Sequence, residues 1–226
     1  MKRIALLCVL LAVGCFAQLQ VVENKPESRS GLFFGAGLGA GANAMKFVGS
    51  KHPINNALYS EDKSYASFVV SAKVGGYHYF TNMIGLRYYY NLDVNFNPGE
   101  SEGNASSPIE AFYVLSGSHT LNTDAVVNVF ASKNIEFAVI GGVGMGVVAG
   151  EYGSRYKTVY GPSSNDYVDF EFRFNLGARV MFDQKYGLEF MAKLPVTPAT
   201  QVSGNALDYS KSSPYYFTLD FVMERF

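Results

Sequence analysis

Tryptophan is absent from this 226-residue chain, and charged residues make up only 16 % of it, against about 25 % in an ordinary soluble domain. The formal net charge is −1, so no basic surface offers itself to nucleic acid, and no nucleic-acid partner is expected. The two cysteines, Cys8 and Cys15, both fall at the start of the chain, which excludes a disulfide framework beyond it. Past residue 17 no apolar run reaches the ~20 residues of a spanning helix. The best, residues 137–150, is bracketed by Glu136 and Glu151 and interrupted by five glycines. Intrinsic disorder is excluded in turn, because 48 % of the residues are hydrophobic. What is abundant is Phe (18), Tyr (16) and Gly (23). That composition leaves a compact all-β protein or a membrane protein.

Lys2-Arg3, the apolar run from Ile4 to Val13 and the small-residue exit at Ala17 read as a secretory signal peptide. Cleavage after Ala17 removes both cysteines. The alternative takes Ala12-Val13-Gly14-Cys15 as a lipobox, with Cys15 retained and acylated. Either route exports the chain. The expected organisation is a signal peptide over 1–17, a polar periplasmic lead-in over 18–30, and one domain over 31–226.

The domain is written in period two. Over 84–96, Ile84, Leu86, Tyr88, Tyr90, Leu92, Val94 and Phe96 share one face, and Gly85, Arg87, Tyr89, Asn91, Asp93 and Asn95 share the other. Alternate side chains of a strand point to opposite faces, so this segment is a strand with one apolar and one polar wall. Residues 168–182 repeat the pattern, with Phe170, Phe172 and Phe174 against Glu171, Arg173 and Asn175. Weaker alternation marks strands near 32–46, 66–80, 119–130, 135–149, 187–196 and 215–225. Short connections (81–83, 132–134, 183–186) alternate with long polar ones (48–64, 97–111, 151–166, 197–213). An even number of strands with short turns at one end and long loops at the other is the pattern of a transmembrane antiparallel β-barrel. The sequence therefore predicts about eight strands, with periplasmic turns and extracellular loops, in the outer membrane of a Gram-negative bacterium. Gly75–Tyr88 also echoes Gly177–Phe190 at an offset of 102, which either half-barrel duplication or shared barrel geometry explains.

In such a barrel the apolar face meets lipid and the polar face lines the lumen. The expected interior charge network is Lys73, Arg87, Asp93, Asp124, Glu136, Asp169, Glu171, Arg173, Arg179, Glu189, Lys193 and Asp220. Buried charges persist when paired, and an eight-strand barrel is just wide enough for its own side chains to fill. An ion-paired plug is thus favoured over a conducting pore. Glycines within 35–41 and 142–146 are expected to face inward and make room for the long charged chains. Aromatic clusters at strand ends (Tyr77, Tyr79 and Phe80; Tyr186; Tyr215 and Tyr216) suit interfacial girdles. A lipocalin-like cup would bury the apolar face instead, and matched charges on the opposite face weigh against it.

Gly76-Tyr77-His78-Tyr79-Phe80 followed by Gly85-Leu86-Arg87-Tyr88-Tyr89 resembles the Helicobacter outer membrane protein family of Hop- and Hor-like barrels. So do Asp124-Ala125-Val126-Val127-Asn128-Val129-Phe130, Gly187-Leu188-Glu189-Phe190 leading to Lys193-Leu194-Pro195, and the closing aromatic strand. The resemblance implies an outer-membrane barrel, with adhesins and porins among the relatives. The terminal Phe226 is similar to the outer-membrane assembly signal, but is out of phase by one residue with Phe217, Leu219, Phe221 and Met223; a bulge at Glu224-Arg225 or fraying of the last residues would restore it.

Other motifs are weaker. Gly144-Met145-Gly146 with Ala149 matches a dinucleotide fingerprint, but no helix pattern follows it. His52, His78 and His119 lack metal-ligand spacing. Ser118 and His119 lie on opposite strand faces, which opposes a lipid hydrolase. Asn104, in Glu102-Gly103-Asn104-Ala105-Ser106, is a candidate glycosylation site. No catalytic, cofactor or metal residue is expected. The expected role is structural or surface-interactive through the loops, with a narrow porin and a lipid-modifying enzyme as alternatives. The expected partners are outer-membrane lipid and lipopolysaccharide, the barrel assembly machinery, and a host or surface ligand at the loops.

Overall fold

Alternation of apolar and polar residues forces each segment to show one face to hydrocarbon and the other to its own chain. Closing the sheet on itself satisfies both demands and leaves no open edge. A computed structural model, describing residues 29–49, 59–101, 110–154, 165–197, 199–201 and 207–225, has this closure. Its strands are β1 (Arg29–Gly49), β2 (Tyr59–Tyr79), β3 (Ile84–Ser101), β4 (Glu110–Ala131), β5 (Ile135–Ser154), β6 (Asn165–Phe182), β7 (Tyr186–Pro195), β8 (Ala199–Gln201) and β9 (Leu207–Arg225). Sequential neighbours pair antiparallel from β1 to β7, β9 pairs with both β7 and β1, and the three-residue β8 joins only β9. The wall is therefore an eight-strand antiparallel barrel. No helix occurs among the described residues.

Most wall strands are longer than the expected ones. β4 has 22 residues and β1 and β2 have 21 each, where a tilted strand crosses the hydrocarbon in about 9–11. Much of the segments 48–64, 97–111 and 151–166 is thus strand, with 50–58, 102–109 and 155–164 left outside the described residues. Alternation fades in these outer stretches while the strand pairing continues. At the opposite end β1 begins at Arg29, which pairs with Tyr79, so the last residues of the expected lead-in belong to the barrel.

The outer face of the described band is mostly apolar, with Leu38, Phe68, Tyr88, Leu121, Met145, Phe174, Phe190 and Leu219 all exposed and His119 and Thr123 as polar exceptions on β4. The inner face is buried. One irregularity is a bulge in β4 between Asn128 and Phe130, which turns the Phe130 side chain outward. Another is the early end of β7 at Pro195. Beyond it Thr197 tends the exposed edge of β6: its Oγ1 accepts from the Phe172 amide at 2.9 Å and donates to the Phe170 carbonyl at 3.2 Å.

The β6–β7 turn closes with the Lys185 amide donating to the Phe182 carbonyl at 3.0 Å. Its central residues, Asp183 and Gln184, have φ of 50° and 55°, the left-handed region that a tight hairpin requires and that glycine adopts freely. Gln184→Gly should therefore stabilise the barrel by about 1 kcal/mol, read as a shifted midpoint in a urea folding titration; an unchanged midpoint would remove the strain argument.

Candidate functional site

The interior builds up in layers from the turn end to the loop end. In the lowest layer the Arg29 guanidinium donates to both oxygens of Glu136 at 2.6 Å. Arg29 also lies 4.3 Å over the Tyr79 ring. Arg179 donates to Glu224 at 2.6 Å and to the Tyr79 hydroxyl.

The middle layer centres on Glu189. Lys73 reaches it at 2.7 Å and reaches Asp220 at 2.8 Å. Arg87 donates to Glu189 with one nitrogen and to Asp124 with another at 2.9 Å. The Tyr89 hydroxyl adds a bond to Asp124 at 2.9 Å. The Arg87 guanidinium also packs 5.0 Å from the Phe33 ring, a cation–π contact in a water-poor setting.

The upper layer centres on Asp93, which lies on β3. Lys193 donates to one oxygen at 2.6 Å; Arg173 at 2.7 Å and the Tyr216 hydroxyl at 2.9 Å donate to the other. Lys193 also bonds Ser71 and Asn91, and Asn175 ties this layer down to Asp124 at 3.1 Å. Above it Ser118 donates to Glu171, whose other oxygen is 3.5 Å from Arg173. These strands supply cation and anion to one another because side chains two apart on a strand return to the same face, so every charged residue of that parity enters the same space.

Of the residues that the sequence singled out, Lys73, Arg87, Asp93, Asp124, Glu136, Glu171, Arg173, Arg179, Glu189, Lys193 and Asp220 are all buried inside the barrel. Asp169 is half-buried on β6, where its carboxylate accepts from the Phe170 amide at 2.7 Å. Asn104 and Phe226 lie outside the described residues, as do His52 and residues 1–17. Arg87 and Glu189, at corresponding positions of the offset-102 echo, bond each other inside the barrel. The inward glycines are occupied space: a Cβ on Gly35 would meet Lys73 Cγ at 2.7 Å, and one on Gly142 or Gly144 would overlap Asp124 or Asn122.

Three expectations change. Tyr77, Tyr79 and Tyr216 are 1 % exposed and line the lumen, so they are not girdle residues; only Phe80, Tyr186 and Tyr215 of those clusters face outward. Tyr77 and Tyr79 share the parity of Lys73, and Tyr216 that of Asp220. The interior also holds Arg29 and Glu224, both missed in the sequence. Finally, no bulge occurs at Glu224-Arg225, because Phe33 pairs with Glu224 and Leu32 with Arg225 in unbroken register. Glu224 points inward on the parity of Asp220.

Among the described residues, the serines and the histidine weighed for hydrolysis stay on opposite faces of the wall. Ser116 and Ser118 face the lumen, while His119 is on the outer wall with its Nδ1 against the Tyr90 hydroxyl. His78, half-buried, bonds Ser30 at 2.5 Å.

A family model described as Helicobacter outer membrane protein matches residues 71–224. No curated protein matches the chain. Among solved structures, Neisserial surface protein A is similar at 8 % identity and a TM-score of 0.45, covering 88 % of this chain and 99 % of that one. Ail, the attachment invasion locus protein of Yersinia pestis, solved with the heparin analogue sucrose octasulfate, gives 10 % identity, a TM-score of 0.35 and coverages of 84 % and 99 %. The outer membrane enzyme PagL gives 15 % identity, a TM-score of 0.33 and coverages of 78 % and 97 %. Likenesses this distant bear on no question of role.

Proposed function

The chain belongs to the Helicobacter outer membrane protein family and is a protein of the outer membrane, and we propose that it acts there as a closed barrel working through its long connections at the cell surface. The observation that carries this reading is the interior itself. Three successive layers of ion pairs, each bridging strands far apart in sequence, occupy the lumen where a porin would hold water. Such layers are poor devices for net stability, because desolvating the charges offsets most of their attraction. Their value is to fill a barrel whose walls need a polar inner face.

In this reading outer-membrane lipid and lipopolysaccharide contact the apolar band, and the barrel assembly machinery inserts the chain. A host or surface ligand meets the loops around 50–58, 102–109 and 155–164. Asn104 is a candidate glycosylation site within one of these segments. The role is structural and interactive, without catalysis.

The orientation is testable. Single cysteines replacing Asn104 or Gly161 should label on whole cells with a bulky impermeant maleimide, and one replacing the exposed turn residue Lys133 should not. The reverse pattern would put the long connections in the periplasm and end the surface reading.

A further inference from the structure

Hydrocarbon offers an outward side chain no hydrogen bond, and the strands on either side of β3 and β4 comply. The outward positions of β2 from Phe68 to Gly76, and of β5 from Ile135 to Ala149, carry no hydrogen-bonding side chain. Between them β3 and β4 turn four such groups outward in one patch. Tyr88 and Tyr90 are 57 % and 39 % exposed, and His119 and Thr123 are exposed beside them. Tyr88 pairs with Thr123 and Leu92 with His119, so the four lie within a few residues of one another across a single strand pair. Apolar side chains bound the patch on the turn side (Leu86) and on the loop side (Val94 and Leu115), all exposed.

The Tyr90 hydroxyl takes Nδ1 of His119. Nε2 is turned toward Gly117, where an added Cβ would meet that nitrogen at 3.6 Å and no other atom beyond its chain neighbours within 4 Å. The outward glycine thus leaves the free side of the imidazole open to the membrane. Thr123 and His119 stand 8 and 12 residues up from Ala131, the turn end of β4, which is about 20 and 30 Å along the barrel axis for a strand tilted ~40°. The patch therefore climbs through the loop-side half of a hydrocarbon layer ~30 Å thick to its boundary. Polar groups facing into a membrane mark sites by default, because their cost is offset only by a partner.

We propose that this β3–β4 patch binds the lipid A part of lipopolysaccharide, by hydrogen bonds to the hydroxyl, ester and amide oxygens near the roots of its acyl chains. Those oxygens lie at the depth of the patch, whereas a phospholipid chain is bare alkane below its ester. No charged side chain occupies the outward positions of β2 to β5 over these levels, so the headgroup phosphates are not what the wall reads. The assignment rests on the outward orientation of the long connections proposed above.

The full chain, folded in micelles of an uncharged detergent, would be titrated with lipid A bearing 3-hydroxyacyl chains. A parallel titration uses a diacyl phosphatidylglycerol, also anionic, and native mass spectrometry counts the lipids retained. Lipid A should bind at least about fivefold more tightly. His119→Leu and Thr123→Val should each weaken it about fivefold, the worth of one hydrogen bond, and leave phosphatidylglycerol unchanged. Gly117→Val, which keeps the imidazole but covers Nε2, should weaken lipid A as well. The urea midpoint of His119→Leu in phospholipid vesicles should not fall, since the imidazole serves the ligand and not the wall. Equal retention of the two lipids, or lipid A binding untouched in all three variants, overturns the proposal. So does a lowered midpoint with unchanged binding, or a dimer of the chain that His119→Leu dissolves, which would give the patch to a second copy. Orientation plays no part in micelles, so this titration and the whole-cell labelling can fail separately.

Discussion

Arg87→Leu should destabilise the barrel by about 3–5 kcal/mol, the cost of stripping one partner from a buried ion pair. Arg87 is 1 % exposed and holds Glu189 and Asp124 together from β3. Without it Asp124 keeps only the neutral donors Tyr89 and Asn175, and Glu189 relies on Lys73, with Arg179 4.0 Å away. Part of the loss should return when Asp124 is replaced by Leu as well, with a coupling energy of about 1–3 kcal/mol. Urea titrations of folding into lipid vesicles measure both. A loss below about 1 kcal/mol would mean that water reaches Glu189 and screens it.

Phe174→Arg should cost about 2–4 kcal/mol for a charge near the bilayer midplane. Phe174 is 46 % exposed on the outer wall, in the middle of the apolar run of β6, with the Phe172 ring 5.6 Å away. Phe174→Leu should cost at most about 1 kcal/mol, the worth of that ring pair, because lipid makes no demand for close packing. Arg173, its neighbour, is fully buried, so the sign of a charge change inverts between adjacent positions. In a soluble cup the costs would exchange: Phe174→Leu would open a cavity and Phe174→Arg at the surface would be mild.

Strand identity and sidedness were legible because hydrocarbon demands strict alternation. Once Asp93 and Arg173 were assigned inward, parity along each strand carried most of the interior charges with them. The failures share a physical cause. Tyr77 and Tyr79 sit beside Phe80 at a strand end and looked like a girdle, although their parity with Lys73 was there to be read. Glu224 had the same parity as Asp220, but the terminal Phe226 suggested a slip in phase. Arg29 precedes any alternation, and only its pairing across the lumen with Glu136 reveals its place. The outer extensions of the strands left no signal, because the strict alternation that marks the membrane band does not continue into them.

Conductance in planar lipid bilayers tests the closed lumen most directly. The purified, folded protein should give no steady current steps at neutral pH, because Lys73, Arg87, Arg173, Arg179 and Lys193 are each held by carboxylates across the barrel. Reproducible ohmic steps from the unaltered protein would contradict the plug and make the chain a pore.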